Sequence, residues 1–255
     1  MIDYPVVNPS LQGIFDPDLP NSPALWAVLL GKHAGKAVVD DDLNPAQCML
    51  RTNAALSYFS QPTQQDFLDQ ALPYFRRRGP VWLVWPHRTA LRSPEPQAAQ
   101  AVNRVEFMDY DPHSNHLDKL KRQLPDSCRI QFIDQLLLER CEWRSEMEFY
   151  AGSLDNFLEY GLGMCLLRGD EILAEAYASA LGKTRAEIGA FTSQAYRGRG
   201  YATITCAYLI EACEQRGYQA YWSCDADHAA SIRVARKLGF RQERPYYIYE
   251  YTCQD

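Results

Sequence analysis

The residues best suited to chemistry lie where a glycine-containing loop joins a strand to a helix. Residues 186–192 are largely apolar and predict a strand, and the residues after Gly200 predict an amphipathic helix. Gly198 and Gly200 leave the backbone N–H groups of the loop unobstructed by a Cβ atom. The N-terminus of the helix adds unpaired N–H donors and a partial positive charge, and Arg197 and Arg199 add full charges. The loop is therefore suited to bind a phosphate or pyrophosphate group.

The charge around this loop is opposite in sign to the charge of the whole chain. The 255 residues carry 26 basic and 32 acidic side chains, a formal net charge of −6. Residues 181–244 carry ten basic and six acidic side chains, a net charge of +4. A polyanionic ligand explains this inversion and so does a solvated helix face, and the sequence leaves both open.

The loop matches neither of the two common glycine-rich nucleotide motifs. A Walker loop requires a lysine that is absent here, and a dinucleotide fingerprint requires a third glycine where this chain has Thr203. The pattern that fits is Arg-x-x-Gly-x-Ala, from Arg197 through Gly200 to Ala202. In this pattern the chain resembles the GNAT superfamily of acyl-CoA N-acyltransferases, whose pyrophosphate loop reads Arg/Gln-x-x-Gly-x-Gly/Ala.

The resemblance extends to the segments on both sides of the loop. The strand AEIGAFT precedes it, and the strand YWSCD, the helix HAASIRVARKLGF and an aromatic-rich strand follow. The match covers about residues 127–251 and looks closest to a bacterial branch with an extra N-terminal region. It implies an α/β fold with a mixed sheet (α+β), in which residues 127–255 form a GNAT acyl-CoA-binding catalytic domain. Residues 1–126 are predicted to form a smaller α/β domain, and whether that domain is a degenerate GNAT-like unit stays open.

The resemblance implies acetyl-CoA as co-substrate, and no metal. The backbone amides of residues 198–203 are expected to bind its pyrophosphate, and residues 190–192 to run beside the pantetheine arm. His228 stands where many members have an asparagine that contacts pantetheine, and Ser231 follows one helical turn later. The implied cofactor-binding residues are Ala190, Phe191, Thr192, Arg197, Gly198, Arg199, Gly200, Tyr201, Ala202, Thr203, His228 and Ser231.

Glu187 is the candidate general base. A primary amine near neutral pH must lose a proton before it attacks a thioester, and a carboxylate of raised pKa that faces the cleft accepts that proton. Members of the superfamily often carry a glutamate on this strand. The alternative is that Glu187 points outward or satisfies a neighbouring backbone group.

The general acid departs from the family pattern. Many members place a tyrosine seven residues after the asparagine, and here that position is Ala235. Either the thiolate leaves with help from water, or another tyrosine substitutes. By position the candidates are Tyr196, Tyr246, Tyr247 and Tyr249, of which we select Tyr246.

The resemblance predicts an N-acetyltransferase that moves an acetyl group from acetyl-CoA to a primary amine, with a small-molecule amine preferred. The alternative is a CoA-binding sensor with weak or absent turnover, which Ala235 and His228 favour. A weaker alternative, a metal-dependent hydrolase, would use His113 and His116 beside Asp109 and Asp111, but their spacing matches no strong zinc signature. We expect no nucleic-acid or membrane partner, and a homodimer is compatible with the sequence.

The elements that position these residues follow from apolar periodicity and turn signals. Residues 86–126 are rich in polar residues and proline and are predicted to hold the domain boundary. Before them the predicted strands are 37–39, 48–51, 56–59 and 81–85, and the predicted helices are 23–33 and 63–78. After them the predicted strands are 129–132, 164–167, 172–178, 186–192, 220–224 and 246–251, and the predicted helices are 134–141, 153–160, 199–216 and 228–238.

Composition bounds the class of protein. Hydrophobic residues make up 47% and charged residues 23% of the chain, close to the globular average, which excludes a disordered chain or a coiled coil. The eight cysteines form no CxxC pair, and Cys206 and Cys213 are expected to be small buried hydrophobes. No signal peptide is evident, and the longest apolar run, residues 25–30, is far shorter than a membrane span. A reducing cytoplasm is therefore the expected location.

Overall fold

The computed structural model describes residues 1–92, 98, 100–110 and 116–253, apart from the side chain at position 108. These residues form a mixed sheet of twelve strands with helices on both faces. The strands are β1 Ile2–Tyr4, β2 Gly35–Val39, β3 Cys48–Thr52, β4 Leu56–Phe59, β5 Val81–Trp85, β6 Gln100–Asp109, β7 Cys128–Phe132, β8 Leu162–Arg168, β9 Glu171–Leu181, β10 Arg185–Thr192, β11 Gln219–Asp225 and β12 Arg241–Tyr251.

The helices begin and end at residues whose chemistry fits the position. The Ser153 side chain accepts a hydrogen bond from the N–H of Asn156, which caps one helix, and Gly239 ends another at a φ of +102°. The helices are α1 Pro9–Gln12, α2 Ser22–Leu29, α3 Gln65–Arg76, α4 His116–Lys121, α5 Gln135–Leu138, α6 Arg144–Ala151, α7 Leu154–Tyr160, α8 Tyr201–Gln215 and α9 Ala229–Leu238.

The strand order connects the two halves of the chain in one sheet. It runs β1-β2-β3-β4-β5-β12-β6-β11-β10-β9-β8-β7. The last strand, β12, lies between β5 and β6 and pairs antiparallel with both. The predicted division into residues 1–126 and 127–255 stays a prediction. Three strand pairings, β5–β12, β6–β12 and β6–β11, join residues on opposite sides of that division.

Two helices carry most of the packing around the centre of the sheet. All eight residues of α2 are buried, and this helix contacts β3 as well as β9 and β10. On α8, Cys206 and Cys213 are fully buried beside Leu209 and Ile210, which confirms the expectation for the two cysteines. The rigid sheet between these helices is the scaffold from which the strand ends project.

Most predicted elements are confirmed, and the largest difference lies in the segment predicted to hold the boundary. The hairpin of β8 and β9 and the helices α8 and α9 form within a few residues of the predicted limits. By contrast, β6 is a ten-residue strand inside the polar stretch 86–126. On this strand Glu106 is buried and Arg104 is half-buried. Charged residues such as these indicate a loop in the sequence, because their partners lie on other strands. The predicted helix 134–141 is only the short α5, and α6 lacks an apolar signal strong enough to predict it.

Candidate active site

The strands β10 and β11 lie side by side only over their first residues. Their parallel pairing begins at Arg185 and Gln219 and ends at Glu187 and Tyr221. Beyond that point β10 stays paired with β9, and β11 with β6, on their outer sides. The inner edges of the two strands therefore separate, and residues 188–192 of β10 face a gap. Backbone N–H and C=O groups on such an edge are available to a ligand.

A cleft of about 1060 Å³ opens from this gap. Its loop end is formed by β10, the loop after it and α9, and Glu187 lies on its floor. Its other end, here the sheet end, is formed by β5, β6 and β12 together with the start of α6. The residues that line the sheet end are Trp82, Gln100, Val102, Glu146, Tyr150, Ile248 and Glu250.

The loop end presents backbone donors to open space. Gly198 and Gly200 adopt φ values of +79° and +83°, a conformation that favours glycine, and a Cβ at either position would contact nothing within 4 Å. Within the described residues, the backbone N–H groups of 198–203 donate no hydrogen bond to protein. They include the first N–H groups of α8, whose dipole adds a partial positive charge. This cradle fits a pyrophosphate.

Positive side chains surround the cradle. Arg197 lines the cleft and donates from Nε to the carbonyl of Thr192 at 3.2 Å. Arg233 and Lys237 line the same end from α9. Arg199 is exposed and lies over the Tyr196 ring, 5.6 Å from its centroid, outside the lining of the cleft. The sequence-predicted loop residues other than Arg199 are thus brought together on one surface.

The two residues predicted on α9 also face the cleft. His228 precedes the helix, and Ser231 follows one turn later. The Ser231 hydroxyl accepts a hydrogen bond from Nε1 of Trp222 at 3.0 Å, so its orientation is set by the β11 side chain. Ala235 is fully buried and lies away from the lining.

Glu187 is held by two polar side chains at the point where the strands separate. The Ser223 hydroxyl donates to its Oε1 at 2.7 Å. The amide of Asn21, oriented with its nitrogen toward the carboxylate, lies 2.7 Å from Oε2. Burial raises the pKa of Glu187 above its ordinary value, while the hydrogen bond from Ser223 and the charge of Arg104 oppose that rise. Glu187 also lines the cleft, so its side chain faces the cleft rather than the outer solvent.

Arg104 of β6 joins Glu187 to the tyrosine selected as general acid. It donates to the Tyr246 hydroxyl from Nε at 3.1 Å, to Oδ1 of Asp225 at 2.7 Å and to the Ser223 hydroxyl at 3.3 Å. Tyr246 is 2% exposed and is not part of the cleft lining, and burial is the main cause that raises its pKa to about 12. Its hydroxyl is connected to the cleft by the hydrogen bonds that Arg104 donates to Tyr246 and to Ser223.

The other candidate tyrosines lie elsewhere. Tyr196 lines the loop end, and its hydroxyl is engaged by Glu171 and Arg168. Tyr247 is 45% exposed, and Tyr249 is buried beside Trp85. Neither of the last two lines the cleft.

A second polar cluster lies behind Glu187 on the same sheet. Glu106 is 1% exposed and receives hydrogen bonds from His87 at 2.7 Å, from Arg244 at 2.8 Å and from the Tyr221 hydroxyl. Burial raises the pKa of Glu106, but these donors outweigh it and hold the pKa below its ordinary value. The Tyr221 hydroxyl also accepts from the backbone N–H of Asn21 at 2.9 Å. The cluster therefore fixes the start of α2 against the floor of the cleft.

The segment before α6 forms the roof between the two ends. The carboxylate of Glu175 accepts the backbone N–H groups of Glu142, at 2.6 Å, and Trp143, at 3.1 Å. The Trp143 ring lies 5.0 Å from the Phe191 ring and 6.0 Å from the Tyr177 ring. A buried carboxylate on β9 thus positions the aromatic roof over β10.

Sequence reasoning missed the side chains that hold Glu187. Arg104 lies in the segment predicted to hold the boundary, and Asn21 lies just before the predicted helix 23–33. Ser223 carried no signal beyond its place on the predicted strand 220–224. A usable signal in β6 is the alternation of apolar Val105 and Phe107 with polar Arg104 and Glu106. It predicts a strand but not the partners of the charge.

The candidate metal cluster is not formed by the described residues. Asp111 and His113 lie outside the described residues, Asp109 is exposed at the end of β6, and His116 contacts the backbone carbonyl of Lys237 through Nε2. In the described part of the chain, no three His, Cys, Asp or Glu side chains are grouped so as to hold a metal ion. None of the helices described there is long and apolar enough to span a bilayer.

Comparison with known sequences identifies one family. A family model described as GNAT acetyltransferase matches residues 17–249. An uncharacterized N-acetyltransferase of Bacillus subtilis (strain 168), YdfB, is 32% identical over 150 residues, which is 58% of this chain and 56% of that protein. The chain thus matches little more than half the length of this curated relative.

Solved structures share the fold over nearly the whole chain. A GCN5-related N-acetyltransferase-like protein from Streptococcus suis 89/1591 has a TM-score of 0.64 and 23% identity, covering 91% of this chain and 94% of that chain. A putative GNAT-family acetyltransferase from Novosphingobium aromaticivorans has a TM-score of 0.62 and 18% identity, with 93% and 98% covered. A tandem GNAT protein from the clavulanic acid biosynthesis pathway has a TM-score of 0.61 and 10% identity, with 98% and 93% covered. The predicted mixed-sheet, GNAT-like architecture is confirmed.

Proposed function

Since this chain belongs to the GNAT acetyltransferase family, we propose that it transfers an acetyl group from acetyl-CoA to the primary amine of a small molecule. The observation that carries the proposal is the separation of β10 and β11 after Glu187, which opens directly onto the N–H cradle of residues 198–203. A strand edge and an anion cradle in one cleft suit a ligand with an amide-containing arm and a pyrophosphate.

The cradle supports a role in holding the co-substrate. Acetyl-CoA, when bound, supplies the acetyl thioester. The N–H groups of residues 198–203 and the charges of Arg197, Arg233 and Lys237 would hold its pyrophosphate. The open edge of residues 188–192 would pair with the pantetheine amides as a neighbouring strand does, and one N–H of this edge would polarise the thioester carbonyl.

Glu187 is proposed as the general base. Its raised pKa makes it a better proton acceptor than an exposed carboxylate, and it lies where the strand edge begins. Glu187 takes one proton from the ammonium form of the acceptor, and the neutral amine then forms the N–C bond as the C–S bond breaks. The sulfur leaves with the C–S electron pair, and the nitrogen gives up its second proton, which balances the proton that the thiolate takes up. The hydrogen bonds from Ser223 and Asn21 fix the direction in which the carboxylate points.

Tyr246 as the proton donor to the departing thiolate stays a prediction. A pKa of about 12 keeps its hydroxyl protonated at neutral pH, as a donor requires. The donation from Arg104 orients that hydroxyl, and Ser223 lies between it and the cleft. The alternative is that water protonates the thiolate. A Tyr246→Phe variant with unchanged kcat would support that alternative.

Two measurements test the proposed function. Calorimetry should show acetyl-CoA binding to the purified chain, and a thiol-release assay over a panel of primary amines should show CoA formation that depends on both amine and protein. Absence of binding at millimolar acetyl-CoA would overturn the proposal. If acetyl-CoA binds but no amine causes CoA release, the protein is a CoA-binding module instead.

A further inference from the structure

The two ends of the cleft carry opposite charge. Three cationic side chains, Arg197, Arg233 and Lys237, line the loop end. Two carboxylates, Glu146 and Glu250, line the sheet end, and neither forms an ion pair among the described residues. The loop-end cations are accounted for by a pyrophosphate, whereas the sheet-end carboxylates have no role in the proposed transfer.

Among the described residues that line the cleft near the sheet end, the one cation, Arg104, is already engaged. Arg104 uses Nε for the Tyr246 hydroxyl, Nη1 for Asp225 and Nη2 for Ser223. Its guanidinium therefore cannot turn to neutralise Glu250 without breaking these hydrogen bonds. A carboxylate-bearing acceptor such as an amino acid would meet no unengaged cation among the described residues that line this end.

The strand register places Glu250 at a defined distance from the reacting centre. Arg104 is the cross-strand partner of Tyr246, and Gln100 is the partner of Glu250 on the same two strands. Because Glu250 is four residues beyond Tyr246 and strands rise about 3.3 Å per residue, the two positions are about 13 Å apart along the floor. Glu187 contacts Ser223, whose cross-strand partner is Glu106, so its carboxylate lies two residues further from Glu250 than Tyr246 does, or about 20 Å from Glu250 along the floor.

Aromatic rings line the path between these groups. Trp82 is the cross-strand partner of Glu250 in β5, and its ring lies 6.2 Å from the Phe149 ring of α6. Tyr150 of the same helix lines the cleft. Aromatic faces next to a carboxylate favour an ammonium group, because its charge interacts with both the ring and the anion. An alkyl chain between two ammonium groups would pack on the same rings.

We propose that the acceptor is a linear diamine or polyamine, whose reacting amine reaches Glu187 while a second, protonated amine is bound by Glu250 with Glu146 at the rim. The proposal rests on the proposed function, since it assigns the substrate of that same cleft. In the transfer, the near amine loses its proton to Glu187, its nitrogen forms the amide bond to the acetyl carbon, and the sulfur leaves with the C–S electron pair. The far amine stays charged throughout.

Three probes with the same ten-carbon chain separate this acceptor from the alternatives. They are α,ω-diaminodecane, n-decylamine, which lacks the second charge, and ω-aminodecanoate, which reverses it. Binding of each to the CoA-loaded protein, which has no acetyl group to transfer, is measured by calorimetry at pH 7 and low salt. We expect the diamine to bind roughly tenfold more tightly than the monoamine, and the amino acid to bind more weakly than both. α,ω-Diaminobutane should lose the advantage, because its second amine falls short of Glu250.

Substitutions test which carboxylate causes the preference for the diamine over the monoamine. Glu250→Gln keeps the size of the side chain and is expected to reduce the ratio of monoamine to diamine dissociation constants from about ten to near one. Glu146→Gln, at the exposed rim, is expected to reduce it about twofold. Glu148→Gln is the matched control, since Glu148 is exposed on the same helix and does not line the cleft.

The outcomes distinguish this proposal from the proposed function. The diamine assignment is overturned if diamine and monoamine bind equally well, or if Glu250→Gln leaves the preference for the diamine intact. In either case, CoA release with any amine still supports the acetyltransferase. Failure of acetyl-CoA to bind overturns the proposed function and, with it, this acceptor.

Discussion

The loop end and the sheet end of the cleft are built by different means. At the loop end, one continuous stretch of chain from β10 to the start of α8 supplies backbone N–H groups, and two glycines keep them accessible. At the sheet end and around Glu187, side chains come from the residue before α2, from β5, β6, β11 and β12, and from α6. The first surface depends on backbone conformation, whereas the second depends on the identity and mutual hydrogen bonding of distant side chains.

This difference predicts separate sensitivities. A backbone cradle tolerates most side-chain substitutions and fails when a glycine is replaced, because only the shape and direction of the N–H groups matter. A side-chain network fails when one partner is removed, because the remaining buried groups lose their hydrogen bonds. Substitutions at the two ends should therefore affect different measured quantities.

The largest effect is expected from Glu187→Gln. The variant keeps the shape of the side chain and removes the proton acceptor, so kcat should fall by about two to three orders of magnitude. Acetyl-CoA affinity should stay within about twofold of the original, since the cradle lies in a different part of the cleft. The checks are steady-state CoA release and calorimetry. If affinity for acetyl-CoA falls together with kcat, the two ends are not independent.

Arg104→Met should show how much the hydrogen bonds of Arg104 contribute to the stability of the protein. The substitution removes three hydrogen bonds from a side chain that is 22% exposed and leaves the Tyr246 hydroxyl without its donor. We expect the free energy of unfolding in urea to fall by about 2 kcal/mol.

The matched control for that experiment is Arg92→Met. Arg92 is 80% exposed and lies 3.7 Å from the carboxylate of Asp69, so its loss should change stability by no more than about 0.5 kcal/mol. Equal effects of the two substitutions would show that Arg104 does not hold the floor of the cleft.

The same contrast explains how much the sequence predicts. The strand, loop and helix of the loop end follow from local apolar periodicity and from Gly198 and Gly200, and the structure places these residues together. Arg104 could not be assigned from its own segment, because a charged residue in a polar stretch indicates solvent until Tyr246 and Asp225 are brought beside it by β12 and β11. Long-range pairing determines that site, and no local pattern encodes it.

Gly200→Ala should affect the loop end alone. Its φ of +83° makes alanine unfavourable by about 1 kcal/mol, and the new Cβ would take up open space beside the cradle. We expect the dissociation constant for acetyl-CoA to rise about tenfold, because the N–H groups are displaced or obstructed. Calorimetry measures the affinity, and thermal unfolding measures the stability.

Gly169→Ala is the matched control for the glycine substitution. Gly169 also has a positive φ, of +58°, and a Cβ there also contacts nothing within 4 Å, but it lies in the turn between β8 and β9. It should lose a similar amount of stability and keep acetyl-CoA affinity. A loss of affinity in both variants would attribute the effect to strain rather than to the cradle.

Ser223→Ala should give the smallest effect and the most specific one. The Ser223 hydroxyl stabilises the charged form of Glu187 by donating to Oε1 at 2.7 Å, so its loss raises the pKa of that carboxylate further. Because the base acts when deprotonated, the acidic limb of the kcat profile should move to higher pH. Ser179→Ala is the control, since Ser179 donates to the backbone carbonyl of Glu187 and not to its carboxylate. A limb that moves only in Ser223→Ala identifies Glu187 as the titrating group, whereas a limb that moves in neither variant assigns the proton transfer to another residue.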